Sequence, residues 1–346
     1  METQKRTPWR RWIVLVLMIA GLILGGGLAK YGIAGFPPVQ PEITVAAEKL
    51  IEEPIVANFL GLGPLYFVNT LPTLVVTLIL LIVISFFANR SLKKSQNTDL
   101  VPRGIGNVME AILEMLYNLT EGSAGTKWAR AIFPWFATIM IYVLFANLLK
   151  LIPGFESIGV LHSAIGEGHA IAPISGNWSN LLPGEGDKIL VPFFRGISVD
   201  LNFTASLAII SVVMIQVIGF RAQGFGYLSK FFNTRRMFKV PFFGAMDFLV
   251  GLLELISELS KILSFAFRLF GNMFAGVVLG VIVASLLGFI SILPAMIMMF
   301  ELFVGVIQAF VFGMLTMVFM AQATQGHGGE EHEEAHAEVN AEAHEI

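Results

Sequence analysis

Cysteine is absent from this chain of 346 residues. The chain therefore has no disulfide framework, no thiolate metal site and no cysteine nucleophile. Charged side chains are also scarce, at 14% of the residues, whereas soluble domains average about 25%. The net charge is −3 and the basic residues lie in short clusters, which argues against a nucleic-acid partner. We also predict no cofactor and no bound metal.

Apolar residues are abundant: they make up 55% of the chain, with 30 Phe and 15 Met. Crossing a hydrocarbon core about 30 Å thick takes about 20 such residues in a helix. The sequence therefore predicts an all-α polytopic membrane protein with about six transmembrane helices. The six candidate spans are residues 12–34, 66–88, 131–151, 200–220, 246–290 and 293–322.

The distribution of Lys and Arg predicts the orientation of these spans. Basic clusters precede the first span and follow the second and the fourth. The external segment 36–65 and the external loop 152–199 carry at least as many acidic as basic residues. Both termini are therefore expected in the cytoplasm. Residues 1–35 form either a retained signal-anchor or a cleaved signal peptide, and the length of their apolar stretch favours the anchor.

Two further segments have a distinct composition. In residues 104–122, apolar side chains recur at helical spacing with Glu110, Glu114 and Asn118 between them, which predicts an amphipathic helix on the cytoplasmic interface. Residues 326–346 are acidic and contain four histidines. We interpret this stretch as a disordered cytoplasmic tail, although the four-residue spacing of two of its histidines would suit a metal if it were helical.

The last two spans are unusually long and form a predicted helix hairpin over residues 246–322. Residues 248–290 contain no proline, and as a helix they would extend about 65 Å, roughly twice the hydrocarbon thickness. Either this helix is strongly tilted or it breaks near Gly271, Gly276 or Gly280. We favour a tilted hairpin of two long helices.

One face of the first hairpin helix is polar. Successive helical residues advance by about 100°, so the polar residues can be placed within about 60° of one line along the helix. They are Glu254, Ser257, Glu258, Lys261, Arg268 and Asn272, with Ser264 at the edge. On the second helix, Glu301 and Gln308 are seven residues apart and share a face.

Charges inside a membrane need an explanation, because each costs about 2.5–3.5 kcal/mol on insertion scales and usually marks an ion pathway. An ion pair between Arg268 and Glu301 that locks the two helices is the alternative, and it leaves the other polar residues unexplained. The predicted topology puts Glu254, Ser257 and Glu258 toward the inside. It puts Glu301 toward the outside, together with two residues of "DLNFT", Asp200 and Asn202.

Arg268 falls between these two groups. A guanidinium stays protonated, whereas carboxylates can bind and release protons. The sequence thus predicts two half-pathways separated by a fixed positive charge.

Four motifs occur in an order that resembles subunit a of the F-type ATP synthase, over about residues 66–322. They are "ANLLKLIPG" at 146–154, "DLNFT" at 200–204, "FRLFGN" at 267–272 and "IQAFVFGMLT" at 307–316. The resemblance implies a multi-pass stator in the bacterial plasma (inner) membrane, without a catalytic site of its own. It also implies partners: a rotating ring of c subunits, peripheral-stalk b subunits and the remaining ATP synthase subunits.

The resemblance also implies roles for single residues. The motif's arginine, here Arg268, would face the c-ring and promote deprotonation of a ring carboxylate. Asn272, Glu301 and Gln308 take outer-channel positions, and Glu254 and Ser257 take inner ones.

The sequence departs from some relatives of this family at three positions. Val277 stands where those relatives carry a glutamate and Glu301 where they carry a histidine, so the carboxylate is interpreted as having changed helices within one site. Lys150 stands where some relatives have an acidic residue, so we assign it no role in the outer channel.

The transported ion and the type of transport each have two candidates. The sequence does not decide between H⁺ and Na⁺, and we favour protons. The alternative function is a secondary proton or cation antiporter, which would need a substrate site within one chain, usually at broken helices. A purely structural membrane anchor would not explain the charges along one helix face.

Overall fold

A computed structural model describes residues 44–58, 61, 63–96, 104–152, 155–156, 158–175, 178–231, 241–287 and 292–325. These residues contain five long helices: α1 Thr70–Gln96, α2 Ile105–Leu149, α3 Leu201–Gln223, α4 Pro241–Leu287 and α5 Ile292–Thr324. Between α2 and α3 lie two antiparallel strands, β1 Gly159–Ser175 and β2 Trp178–Pro192. Short 3₁₀ turns precede and follow α3, at Ile197–Val199 and Gly224–Lys230.

All five helices within the described residues are long and apolar enough to cross a membrane. The second to sixth predicted spans are therefore confirmed as helices. The first predicted span, 12–34, and the predicted tail, 326–346, lie outside the described residues. The strand pair β1–β2 lies within the predicted external loop 152–199, and we did not predict it, because its residues lack the alternation of apolar and polar side chains that marks a strand.

Helix α4 is continuous over its 47 residues, which correspond to about 70 Å of helical rise. None of the three glycines at which a break was considered interrupts it: the positive-φ glycines of the described residues lie elsewhere. Of the two alternatives, the unbroken helix is the one that the structure contains. Helix α5 has 33 residues, which also exceeds the roughly 20 that a perpendicular crossing requires.

Helix α2 changes direction at Gly125, whose φ of 72° and ψ of 162° are not helical. Residues with a side chain avoid this region, so the position favours glycine. The break separates residues 126–149 from residues 105–124, which include most of the predicted interfacial helix. In that helix Leu116 is fully buried, whereas Val108 and Met115 are each 58% exposed. One side of its apolar face therefore packs on protein, and its position at a membrane interface stays a prediction.

The chain divides into two compact units. The first unit comprises the described residues of Met1–Val76, Ala146–Asp200 and Gly271–Val306. The second unit comprises those of Thr77–Phe145, Leu201–Phe270 and Ile307–Ile346. The second unit contains a hydrophobic core that α2, α3 and α5 build from Leu116, Ile132, Phe136, Ala137, Met140, Val212, Ile215, Ile218, Met317, Met320 and Ala321.

In the first unit, Arg195 ties the segment before α1 to the chain that leads into α3. Its side chain is largely buried, and its guanidinium donates hydrogen bonds to the Thr44 hydroxyl at 2.9 Å and to the Ala46 carbonyl at 2.7 Å. It also donates to the Thr44 carbonyl. The backbone N–H of Arg195 donates to the Thr73 hydroxyl at 3.1 Å. The segment at residues 44–46 is therefore fixed by side-chain and backbone contacts.

We expect Gly313→Ala to destabilise the second unit. A Cβ atom at this position would lie 2.8 Å from Cβ of Met140 and 3.2 Å from Cε2 of Phe136, so the two helices would have to move apart. Overpacking of this kind costs about 1–3 kcal/mol, which should lower the Tm of the purified protein. Gly122→Ala is the matched control, because nothing lies within 4 Å of a Cβ there. An equal Tm for the two variants would contradict the prediction.

Candidate functional site

The first unit contains a cavity of about 240 Å³, which we call the Lys150–Glu301 cavity. Its lining brings Asn272 and Glu301, both predicted from the sequence, together with Lys150, for which no role was predicted. The remaining lining residues are mostly apolar: Met273, Ala275, Gly276, Leu279, Phe300 and Val304. Because water occupies about 30 Å³ per molecule in the liquid, the cavity has room for several water molecules.

Lys150 and Glu301 form a buried ion pair in this cavity. Nζ of Lys150 lies 3.1 Å from Oε2 of Glu301, and the two side chains are 4% and 13% exposed. Among the described residues, the ammonium has no partner with full hydrogen-bond geometry. The contact is therefore an ion pair rather than a hydrogen bond, and the N–H groups of the ammonium remain available to water.

A hydrogen bond one helical turn away aligns the two helices that carry this pair. Nδ2 of Asn147 donates to the Gly305 carbonyl at 3.0 Å. Asn147 lies in the last turn of α2, three residues before Lys150, which directly follows that helix, and Gly305 follows Glu301 by four residues in α5. A Cβ at Gly305 would lie 3.2 Å from Cβ of Asn147. Glycine thus permits the close approach that brings lysine and glutamate within reach.

The Glu301 carboxylate also lies against α4. A Cβ at Gly276 would be 3.1 Å from Oε1 of Glu301, so this glycine leaves space for the carboxylate. Its neighbour in the chain is Val277. The carboxylate of Glu301 on α5 therefore lies close to the α4 position at which the family resemblance implies a glutamate in some relatives.

Asp200 and Asn202, predicted for the outer pathway, lie at the start of α3. Asp200 is buried and accepts a hydrogen bond from the Thr70 hydroxyl at 3.0 Å. It is not among the residues that line the Lys150–Glu301 cavity. Asn202 is exposed. Within the first unit, Asp200 therefore connects the first residue of α1 to the residue that precedes α3.

Arg268 lies on the surface of the second unit. Its side chain is exposed, and it donates one hydrogen bond, at 3.3 Å, to the hydroxyl of Ser264 one turn earlier in α4. Within the part of the chain that the structure describes, this hydroxyl is its only polar partner. Among the described residues, this permanent cation on an exposed position of α4 has no acidic partner.

The remaining predicted residues of the second unit differ in exposure. Glu258 is 6% exposed and accepts a hydrogen bond from Nζ of Lys261 at 2.9 Å. The same ammonium lies 4.7 Å from the ring centroid of Phe319, a cation–π geometry. Glu254 is half-buried and Ser257 exposed. In α5, Gln308 is buried at 3% exposure.

The family model described as "ATP synthase A chain" matches residues 71–321. The chain belongs to this family. The match begins with α1 and ends three residues before the end of α5, so it includes both the Lys150–Glu301 cavity and Arg268.

Curated members of the ATP synthase A chain family give the same result. An "ATP synthase subunit a" of Campylobacter jejuni is 31% identical over 253 residues, which cover 71% of this chain and 87% of that protein. The corresponding protein of Moorella thermoacetica is 30% identical over 267 residues, 77% of this chain and 95% of its own length. That of Helicobacter pylori strain P12 is 30% identical over 72% of this chain and 89% of its own length.

One lining residue of the Lys150–Glu301 cavity, Lys150, was not identified as a site residue from the sequence. The sequence did contain a signal, a lysine within the apolar stretch "NLLKLIP". Insertion of this lysine into a membrane costs about as much free energy as insertion of Arg268. Its partner, Glu301, lies 151 positions later in the chain. No local pattern connects two residues so far apart.

Proposed function

We propose that the chain is the proton-conducting stator subunit of the F-type ATP synthase, with two offset half-channels that serve a rotating c-ring. The observation that carries this proposal is the exposed Arg268, whose only polar partner among the described residues is a serine hydroxyl. Membership of the ATP synthase A chain family supports it. A carboxylate of the ring would supply the counter-charge to Arg268.

The outer half-channel is assigned to the Lys150–Glu301 cavity. Glu301 can bind and release a proton, and Asn272 offers an amide that can hydrogen-bond to water. The cavity volume and the polar groups in its lining support a hydrated route. Gln308, Asp200 and Asn202 are proposed as further polar groups on the outer side, as the family resemblance and the predicted topology imply.

The step at Arg268 follows from electrostatics. A deprotonated carboxylate of the ring is very costly in lipid unless it is paired. Beside Arg268 the charged form of that carboxylate is favoured, so it releases its proton. The proton then leaves through an inner half-channel that includes Glu254, Ser257 and Glu258. The fixed positive charge also repels a hydronium that would otherwise pass directly from one half-channel to the other.

The proposal includes the cellular setting. The chain would be a multi-pass protein of the bacterial plasma (inner) membrane with both termini in the cytoplasm, unless residues 1–35 are cleaved. It would contact the c-ring and the peripheral-stalk b subunits, and the catalytic chemistry of ATP synthesis would take place on other subunits of the complex. The helix continuity of α4 over Pro241–Leu287 supports this function over an antiporter, whose substrate site usually lies at broken helices.

Passive proton flux through the reconstituted membrane sector tests the function. We expect flux down a proton gradient in sodium-free buffer. We also expect co-purification of a small, glycine-rich, two-helix protein with one carboxylate in the middle of the membrane. Flux that requires an opposing sodium gradient, in a preparation without that companion protein, would instead identify an antiporter.

A further inference from the structure

The ammonium of Lys150 has no role in the pathway described above. We propose that Lys150 is a tethered cation that occupies one side of the Glu301 carboxylate and so excludes sodium and other metal cations from the Lys150–Glu301 cavity, while protons still pass. This inference rests on the proposed function, in which the cavity belongs to a proton pathway.

The position of the ammonium supports this role. Nζ of Lys150 is 3.1 Å from Oε2 of Glu301, and both side chains are buried. A second cation at the same oxygen would lie within a few ångströms of the ammonium, where repulsion is strong because the surroundings are largely apolar. The pair as a whole carries no net charge, so nothing in it attracts a metal ion into the cavity.

The cavity would be a plausible cation site without this lysine. A carboxylate, a side-chain amide oxygen and water are the oxygen ligands that sodium and other hard cations take in proteins. Glu301 and Asn272 supply the first two, and the cavity has room for water. Removal of the lysine charge would leave a buried carboxylate that must take up another cation or a proton.

Lys150 is held in place by close packing. A Cβ at Gly196 would lie 3.2 Å from both Cβ and Cδ of Lys150, so the lysine stem lies directly against backbone at this glycine. The backbone N–H of Gly196 donates to Oε1 of Glu156 at 3.0 Å. Together with the Asn147–Gly305 hydrogen bond, these contacts keep the ammonium directed at Glu301.

A proton differs from a metal ion in this setting. It moves along hydrogen-bonded groups and water, so it can reach Glu301 through the cavity without displacing the ammonium. A sodium ion at either carboxylate oxygen would lie close to the ammonium at Oε2, whose positive charge repels it. The same ion pair therefore admits one cation and excludes the other.

The test compares passive proton flux of the reconstituted membrane sector in sodium and in choline buffers of equal ionic strength. Wild type should give the same flux in both. Lys150→Gln should lose most of its flux in sodium, and acidification of the outer solution should restore it, because protons then outcompete sodium at Glu301. Lys150→Arg keeps a tethered cation and should be insensitive to sodium. Lys93→Gln, which changes an exposed lysine of α1, is the matched control.

The double variant Lys150→Gln/Glu301→Gln assigns the effect to the carboxylate, and its flux should be low and equal in both buffers. Equal flux of Lys150→Gln in sodium and choline would overturn the proposal, as would sodium inhibition of wild type to the same degree. If Lys150→Gln is not recovered in the complex, assembly of the double variant shows whether the loss of charge or the loss of packing is the cause. Recovery of the double variant alone supports a charge role, whereas failure of both shows that the lysine serves packing.

The two proposals fail in different ways. Absence of wild-type flux in choline would remove the proposed function itself. Wild-type flux together with a sodium-insensitive Lys150→Gln variant would remove only the tethered cation.

Discussion

Replacing Arg268 by alanine is expected to abolish proton-driven ATP synthesis while the subunit remains inserted and assembled. The side chain is exposed and contributes one hydrogen bond within the chain, to Ser264, so little of the subunit's own stability depends on it. Its proposed role is instead to pair with a carboxylate of the ring. Without that pairing the carboxylate would not release its proton in front of the subunit, and rotation would not be driven.

The measurement is ATP synthesis by inverted vesicles under an imposed proton gradient. Synthesis should fall to the background of vesicles without the complex, at unchanged levels of the subunit in the membrane. Passive proton flux should not decrease, because the barrier between the half-channels would be removed with the charge. Arg221→Ala is the matched control, since Arg221 is also an exposed arginine of the second unit. Retained synthesis in Arg268→Ala would contradict the assignment of this arginine.

Glu301→Gln is expected to have the second-largest effect. An amide cannot bind and release protons at the relevant pH, and the substitution leaves the buried ammonium of Lys150 without its counter-charge. Groups that transfer protons accelerate typical enzyme reactions at least about a hundredfold. We expect a smaller effect here, a loss of proton flux of about tenfold or more, because water can bypass the group in part.

Glu301→His should retain part of the flux, because imidazole also exchanges protons near neutral pH. Glu110→Gln, at an exposed position of α2, controls for loss of a carboxylate as such. Both Glu301 variants should be measured as proton flux per assembled complex, since loss of one partner of a buried ion pair is destabilising. Full flux in Glu301→Gln would exclude a relay at this carboxylate.

The sequence predicted those features that depend on local patterns. The apolar length of each segment predicted the helices α1 to α5, and the 100° helical step predicted the polar face that carries Arg268. These patterns are local because helix formation and insertion depend on neighbouring residues in the chain. Residues 104–122 and 131–151 were predicted as separate helices, and the break at Gly125 lies between them. The strand pair β1–β2 was not predicted, since the strands lack alternation.

Pairing between distant residues was beyond the reach of these patterns. Glu301 was identified, but its partner was not, because the contact depends on how α2 and α5 cross at Asn147 and Gly305. The burial of Glu258 was likewise not predicted. A polar face predicts which residues point the same way, and only packing decides that this carboxylate is buried beside Lys261 while Arg268 stays exposed.

The Arg195 contacts bear on maturation of the protein. Their acceptors in the segment before α1 are the Thr44 hydroxyl and the Thr44 and Ala46 carbonyls, all downstream of residue 35. A protease that cut after that residue would remove a leader without touching any of these acceptors. A chain beginning at residue 36 would therefore keep every hydrogen bond that connects residues 44–46 to Arg195.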